Sequence, residues 1–213
     1  MNNRIDLLAR RPQSSDDMKR MLARAGLPIE TWGEGPTKTP ENLWQEIVDG
    51  ETILMSPLTK EKEEEYGEII RLTSVLAVDV FTEIEGELFH LREDRQVFKD
   101  GRGERRRDYL MTSLGEKIKH NEDRDEAVLR AVQEELGLLE EAIASVTPPK
   151  DKDEVIWRKT ETYPELPSRF NSYQYEIHVK PEAVNLEQGY MEDQPEKQIY
   201  FVWDKVDTAT LAS

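Results

Sequence analysis

The segment 115–138 constrains the fold of this chain more than any other, because it predicts one helix with both of its ends marked. Asp123 or Asn121 can cap the first turn by accepting a hydrogen bond from a backbone N–H group. Apolar residues then recur at helical spacing, and Gly137 can end the helix. The segment therefore predicts a helix from about residue 123 to residue 137.

Glu134 and Glu135 are successive carboxylates in the last turn of this predicted helix. Adjacent carboxylates repel each other, so a cation, an arginine or solvent has to compensate for their charge. Mg²⁺ prefers oxygen ligands and is commonly held by one or two carboxylates together with substrate phosphates. The alternative to a metal site is that both carboxylates lie on an exposed helix face and are solvated. This alternative is plausible because 35% of the residues in the chain are charged. Arg130 precedes Glu134 by four residues, so the arginine can orient that carboxylate.

The spacing of these residues resembles the Nudix box, whose pattern reads G-x5-E-x7-R-E-U-x-E-E-x-G-U, with U an apolar residue. The residues of this chain that match the pattern are Glu122, Arg130, Val132, Glu134, Glu135, Gly137 and Leu138. Two positions differ, because Glu116 replaces the opening glycine and Ala131 replaces the glutamate that follows the arginine. Gly115 matches the first of two glycines that many members of the family carry.

The resemblance implies a site for a divalent cation. In Nudix enzymes the helix carboxylates at the positions of Ala131, Glu134 and Glu135 hold Mg²⁺ or Mn²⁺, helped by the carbonyl oxygen at the position of Gly115. In this chain Glu134, Glu135 and Gly115 are therefore the predicted metal-binding residues. The resemblance also implies that Arg130 orients a neighbouring glutamate. The predicted catalytic residues are Glu122, Arg130, Glu134 and Glu135. The general base stays unassigned.

Ala131 leaves two functions open, because an alanine can neither bind a metal nor accept a proton. The first is a metal-dependent hydrolase that splits a phosphoanhydride in a nucleoside-diphosphate-linked substrate. The alternative is a catalytically silent Nudix-fold module that binds a nucleotide or a protein.

An arginine cluster precedes the box in the sequence KDGRGERRRD, where two glycines indicate a turn. The planar guanidinium group suits bidentate contact with phosphate. We therefore expect Arg105, Arg106 and Arg107 to bind the substrate. A solubilising hairpin loop is the alternative interpretation of the same cluster.

The predicted fold is α/β, a Nudix-like α/β/α sandwich with a mixed sheet and a short N-terminal helical extension. Residues 1–50 are predicted to form the extension and residues 51–213 the Nudix-like domain. The remaining predicted elements are helices at 15–25 and after the cap Thr39, and strands at 51–55, 69–80, 87–98 and 199–203.

Composition bounds the partners that this chain can have. A net charge of −16 with 37% hydrophobic residues is typical of an acidic globular protein, and it disfavours non-specific binding to nucleic acid. The absence of cysteine excludes disulfides, and no apolar run approaches the length of a membrane span. We therefore expect a cytoplasmic protein whose partner is a small nucleotide-like molecule, with no nucleic acid and no membrane; a homodimer stays open.

Overall fold

The computed structural model describes residues 7–106, 112–148 and 154–206. Within these ranges the chain is a mixed α/β protein, as predicted, while the sandwich arrangement stays a prediction. In chain order the strands are β1 (Leu7–Arg10), β2 (Ile53–Pro57), β3 (Ile70–Ile84), β4 (Glu87–Phe98), β5 (Glu104–Arg105), β6 (Leu114–Ile118), β7 (Ile143–Thr147), β8 (Glu154–Lys159), β9 (Pro167–Val179), β10 (Tyr190–Asp193) and β11 (Lys197–Lys205). The helices are α1 (Ser15–Arg24), α2 (Pro40–Val48), α3 (Lys60–Tyr66) and α4 (Arg124–Leu136). None of the helices in the described ranges has the length and apolar character needed to span a membrane.

The first of two compact units contains the residues up to Val75 together with Lys117–Asn121 and Glu154–Ser172. Its strand pairs are antiparallel: β1 with β2, β2 with the start of β3, and β8 with the start of β9. The buried apolar core of this unit consists of Met18, Leu22, Trp32, Leu43, Leu54, Ile69, Tyr163 and Leu166. Residues before position 50 therefore share a core with later parts of the chain. The predicted domain boundary after residue 50 stays a prediction.

Helix α1 is capped by Ser14, and helix α2 is capped by Thr39 as the sequence predicts. The Ser14 side chain accepts a hydrogen bond from the Asp17 N–H at 3.2 Å. Thr39 accepts one from the Asn42 N–H at 3.2 Å, and the Asn42 side chain accepts the Thr39 N–H at 2.9 Å. This reciprocal pair is a capping box, which satisfies two backbone donors at the start of α2. Val48, the last residue of α2, is exposed although it is apolar.

The second unit contains Leu76–Glu116, Glu122–Asp153 and the residues from Tyr173 onwards. Strand β4 pairs antiparallel with the end of β3 on one side and with β11 on the other. Beyond β11 lies β10, while β5 returns along β4 and β7 pairs with the end of β9. The predicted strands at 87–98 and 199–203 are confirmed, although the buried side chains of β11 alternate with half-buried ones.

Strand β4 contains a β-bulge at Asp94. The residues on either side of Asp94 pair with two successive residues of β11, so Asp94 is an extra residue on β4. In a regular strand Glu93 and Gln96, three residues apart, would point to opposite faces. Both are buried here, because the bulge turns them toward the same face of β4.

A tight turn at Gly189 leads into β10. Gly189 has a φ of +60°, and a Cβ added to it would lie 2.0 Å from the carbonyl oxygen of Phe201 in β11. The side chain could be accommodated only if β10 moved away from β11. We therefore expect Gly189→Ala to lower the free energy of unfolding by about 2 kcal/mol, measured by urea unfolding.

The matched control for this substitution is Gly86→Ala. Gly86 also has a positive φ, +78°, but a Cβ there meets nothing within 4 Å. Only the strain of the left-handed backbone remains in that variant, about 1 kcal/mol. An equal loss at the two glycines would contradict a steric role for Gly189.

Candidate functional site

Helix α4 carries most of the residues that the sequence singles out, and it begins and ends as predicted. Asp123 is the cap, because its side chain accepts a hydrogen bond from the Asp125 N–H at 2.9 Å. Gly137 ends the helix in the left-handed conformation, with a φ of +67°. Of the two predicted caps, Asp123 rather than Asn121 is therefore used.

Arg130, in the middle of α4, forms ion pairs with three carboxylates. Its Nε and Nη2 atoms donate to both oxygens of Glu122, at 2.7 and 3.1 Å. Its Nη1 atom donates to Glu134 Oε2 at 3.0 Å and lies 3.8 Å from Glu116 Oε1. The hydrogen bonds to Glu122, and after them the one to Glu134, raise the pKa of Arg130 further above its usual value. The structure thus brings together the predicted residues Arg130, Glu122 and Glu134.

A cavity of about 230 Å³ lies within the second unit. Gly115 and Glu135, two of the predicted metal-binding residues, both line it. The other charged residues of its lining are Glu93, Glu116, Glu192 and Lys197. Glu134, the third predicted metal ligand, is not part of the lining, and 57% of its side chain is exposed beside Arg130. The predicted residues of the Nudix-like box are therefore divided between the ion pairs of Arg130 and the cavity.

Glu192, another residue of the cavity lining, has one carboxylate oxygen with a hydrogen bond to the described residues and one without. Its Oε1 accepts a hydrogen bond from Gln194 Nε2 at 2.8 Å. Its Oε2 is buried and has no hydrogen-bond partner within the described part of the chain. A buried acceptor without a partner is costly, and a cation or a donor from a ligand would satisfy it.

The donors around the cavity fit a hard divalent cation in their chemistry. Carboxylate and carbonyl oxygens are the ligands that Mg²⁺ and Mn²⁺ prefer. In residues 7–106, 112–148 and 154–206, no three acidic or histidine side chains lie close enough together to hold a metal ion. A cation would therefore have to draw these carboxylates inward.

Ala131 occupies a core position of α4. Its exposed fraction is 0%, and it lies on the helix face whose other buried residues are Ala127, Val128, Val132 and Leu136. The position at which the Nudix pattern has a glutamate is therefore filled by a small residue packed inside the protein.

The two described arginines of the predicted phosphate-binding cluster contact β4. Arg105 Nη2 donates to Gln96 Oε1 at 2.7 Å, and Arg106 Nη1 donates to Asp94 Oδ1 at 2.7 Å. Neither arginine lines the cavity. Arg107 lies outside the described residues. The role of these arginines in substrate binding stays a prediction.

Four charged residues of the cavity lining were not among the site residues predicted from the sequence: Glu93, Glu116, Glu192 and Lys197. The sequence held a signal for Glu93, which stands two residues after the buried Leu91 and therefore on the inward face of the strand. Glu192 lies in β10 and Lys197 is the first residue of β11, on either side of the turn that joins these strands. No pattern in the sequence shows which way their side chains point.

His90 is held by neighbouring polar groups. Its Nε2 atom lies 3.1 Å from Asp79 Oδ1 and 3.2 Å from Ser113 Oγ. Both groups approach the same ring nitrogen, whereas a Ser-His-Asp triad needs the two nitrogens to contact different partners. Ser113 Oγ also accepts the Val80 N–H at 2.9 Å, which ties the hydroxyl to the sheet. This arrangement favours a structural role for His90.

No protein-family model matches the chain, and no curated protein matches its sequence. Among solved structures, the C. elegans Ap4A hydrolase is 14% identical over 65% of this chain and 83% of its own, with a TM-score of 0.35. A Nudix-family hydrolase from Clostridium perfringens is 16% identical over 62% of this chain and 80% of its own, with a TM-score of 0.30. The T. brucei MERS1–RNA complex is 17% identical over 51% of this chain and 35% of its own, with a TM-score of 0.32. The structural neighbours thus include Nudix hydrolases, at identities and TM-scores too low to carry an activity or a substrate over to this chain.

Proposed function

We propose that this chain is a divalent-cation-dependent hydrolase of a phosphoanhydride in a small nucleotide-like molecule. The observation that supports the proposal most is the cavity that Gly115 and Glu135 line together. These two residues match the metal-binding positions of the Nudix pattern, and further carboxylates surround them. Mg²⁺ or Mn²⁺ would be held by Glu135, the Gly115 carbonyl oxygen and Glu192.

The bound cation would neutralise phosphate charge as the anhydride is split. Lys197, the basic residue in the described lining of the cavity, would bind a phosphate oxygen directly. The paired contacts of Arg130 with Glu122 would hold the loop before α4 against the helix. Water attacks phosphorus in this reaction, so that a new P–O bond forms, the bridging P–O bond breaks and the water releases a proton. The group that accepts the proton is unassigned.

The experiment that tests this function is a substrate panel incubated with Mg²⁺ or Mn²⁺. It comprises nucleotide sugars, dinucleoside polyphosphates, dinucleotide cofactors and nucleoside triphosphates, and the readout is release of phosphate and nucleotide. We expect at least one substrate to be split, and we expect Glu135→Gln to slow that reaction at least tenfold by removing a charged ligand.

The matched control is Glu140→Gln, which removes an equal charge from an exposed residue just beyond α4. We expect it to react at the rate of the parent. Equal rates for the parent and Glu135→Gln would exclude Glu135 from the site, and no turnover by a folded protein would exclude the hydrolase.

The second candidate is a Nudix-like module that binds a nucleotide-like ligand without splitting it. Two observations favour it: Ala131 is buried, and Glu134 is bound by Arg130 outside the cavity. Two of the three helix positions that bind metal in Nudix enzymes thus offer no carboxylate to the cavity. Calorimetric titration with the members of the same panel distinguishes the candidates, because binding without product supports the module and turnover excludes it.

A further inference from the structure

Glu93 is a buried carboxylate at the cavity. Its exposed fraction is 5%, and it lies on β4, so its position does not depend on α4. It lines the same cavity as Gly115 and Glu135. A carboxylate is therefore present at the cavity although Ala131 cannot supply one.

The β-bulge at Asp94 gives Glu93 its orientation. The bulge places Gln96 on the same side as Glu93, and Gln96 Nε2 donates to Glu93 Oε2 at 3.2 Å. Gln96 is itself fully buried, with an exposed fraction of 0%. Bulges often redirect a side chain beside a functional site, and the geometry here matches that use.

The arginines beyond β4 hold this arrangement from outside. Arg105 can only donate, and it donates to Gln96 Oε1 at 2.7 Å. The amide oxygen of Gln96 must therefore point to Arg105, which turns its NH₂ group toward Glu93. Arg106 donates to Asp94 Oδ1 at 2.7 Å and so binds the bulged residue itself. The two arginines thus connect the exposed hairpin to the buried carboxylate through one side chain each.

From these contacts we propose that Glu93 is a cation ligand of the cavity, supplying the carboxylate absent at Ala131, and that Gln96 and Arg105 are its positioning residues. This inference rests on the proposed function, because it assumes that the cavity binds Mg²⁺ or Mn²⁺. It assigns Arg105 and Arg106 a supporting role next to β4. Groups that orient a metal ligand affect binding nearly as strongly as the ligand does, about 10- to 100-fold in affinity.

The test is calorimetric titration of the full chain with Mn²⁺ alone, so that the readout is affinity and does not require a substrate. Glu93→Gln keeps the shape of the side chain and removes its charge, and we expect at least tenfold weaker Mn²⁺ binding. Glu93→Asp keeps the charge and should retain part of the affinity. Glu87→Gln, at the exposed start of the same strand, is the matched control and should bind as the parent does.

Arg105→Ala tests the positioning role at an exposed residue, so the variant is expected to fold. We expect about tenfold weaker Mn²⁺ binding with an unchanged unfolding midpoint, and partial recovery in Arg105→Lys. A purely structural role would lower the midpoint and leave the affinity unchanged, which would overturn the positioning role.

Two results separate this inference from the proposed function. If Glu135→Gln loses Mn²⁺ affinity and Glu93→Gln does not, the cavity binds the cation without Glu93 and the inference is wrong. If the parent binds no Mn²⁺ at millimolar concentration, the cation site itself is wrong, and the inference fails together with it. A loss in both variants, with the control unaffected, supports both proposals.

Discussion

Replacing Ala131 with glutamate is expected to lower the free energy of unfolding by about 4 kcal/mol at neutral pH. Ala131 is fully buried, so the new side chain both overfills the core and brings a carboxylate out of water. The loss should be smaller at pH 4, because burial raises the folded-state pKa of the carboxyl and the protonated form then predominates in both states. Urea unfolding at the two pH values measures both effects.

The matched control for this substitution is Gln133→Glu, which places the same residue on the exposed face of α4. We expect it to change the free energy of unfolding by less than about 0.5 kcal/mol. If Ala131→Glu unfolds at the same urea concentration as the parent, its side chain reaches solvent and position 131 faces a cleft. Restored metal-dependent turnover in that variant would then identify a site silenced by one substitution.

The helices that could be predicted from the sequence are those with their own end signals. Helix α4 has a cap at Asp123 and a glycine at its end, and α2 has Thr39 and Pro40 at its start. These signals act within a few residues, so no knowledge of distant parts of the chain is needed. Helix α3 was not predicted because six of its seven residues are charged and give no apolar stripe.

The candidate site could be predicted only in part, because the orientation of Glu93 depends on how β4 pairs with β11. The spacing of the box indicated Glu135 and Gly115, and these do lie at one cavity. The proximity of Glu93 and Gln96 depends on a bulge that is set by pairing with β11, about a hundred residues later in the chain. A pattern within one segment cannot show such a shift.

The ion-pair partners of the arginines could not be predicted from the sequence either. A run of arginines is compatible with phosphate binding and with ion pairs inside the protein. Arg106 is paired with Asp94 because the β4–β5 hairpin folds the chain back on itself. The contact between Arg106 and Asp94 therefore depends on the fold and cannot be seen in the run of arginines itself.

Glu46 is the centre of a buried ionic network in the first unit. Its exposed fraction is 5%. Its Oε2 accepts hydrogen bonds from Arg71 at 2.9 Å and from Thr52 at 3.2 Å. Its Oε1 accepts them from Lys38 at 2.8 Å and from the Tyr163 hydroxyl at 3.1 Å. Nothing in the sequence of α2 distinguished this glutamate from the exposed acidic residues around it.

The charge of Glu46 makes a pH-dependent contribution to stability. Burial raises the pKa of the Glu46 carboxyl, but Arg71 and the neighbouring lysines outweigh burial and lower it from 4.5 to about 2. A folded-state pKa below the unfolded value stabilises the protein above pH 4.5, and the contribution is lost as the pH falls from 4.5 to about 2. A lowering of this size corresponds to about 3 kcal/mol at neutral pH.

We therefore expect Glu46→Gln to lower the free energy of unfolding by about 3 kcal/mol at pH 7, and by much less at pH 2.5. Guanidinium unfolding of both proteins at each pH gives the difference, in which the titration of all other carboxylates cancels. Glu41→Gln, on the exposed face of the same helix, is the control and should change stability little, because surface ion pairs contribute little. A difference between parent and Glu46→Gln that is the same at both pH values would show that the carboxylate acts through its shape and hydrogen bonds, and that its charge contributes nothing.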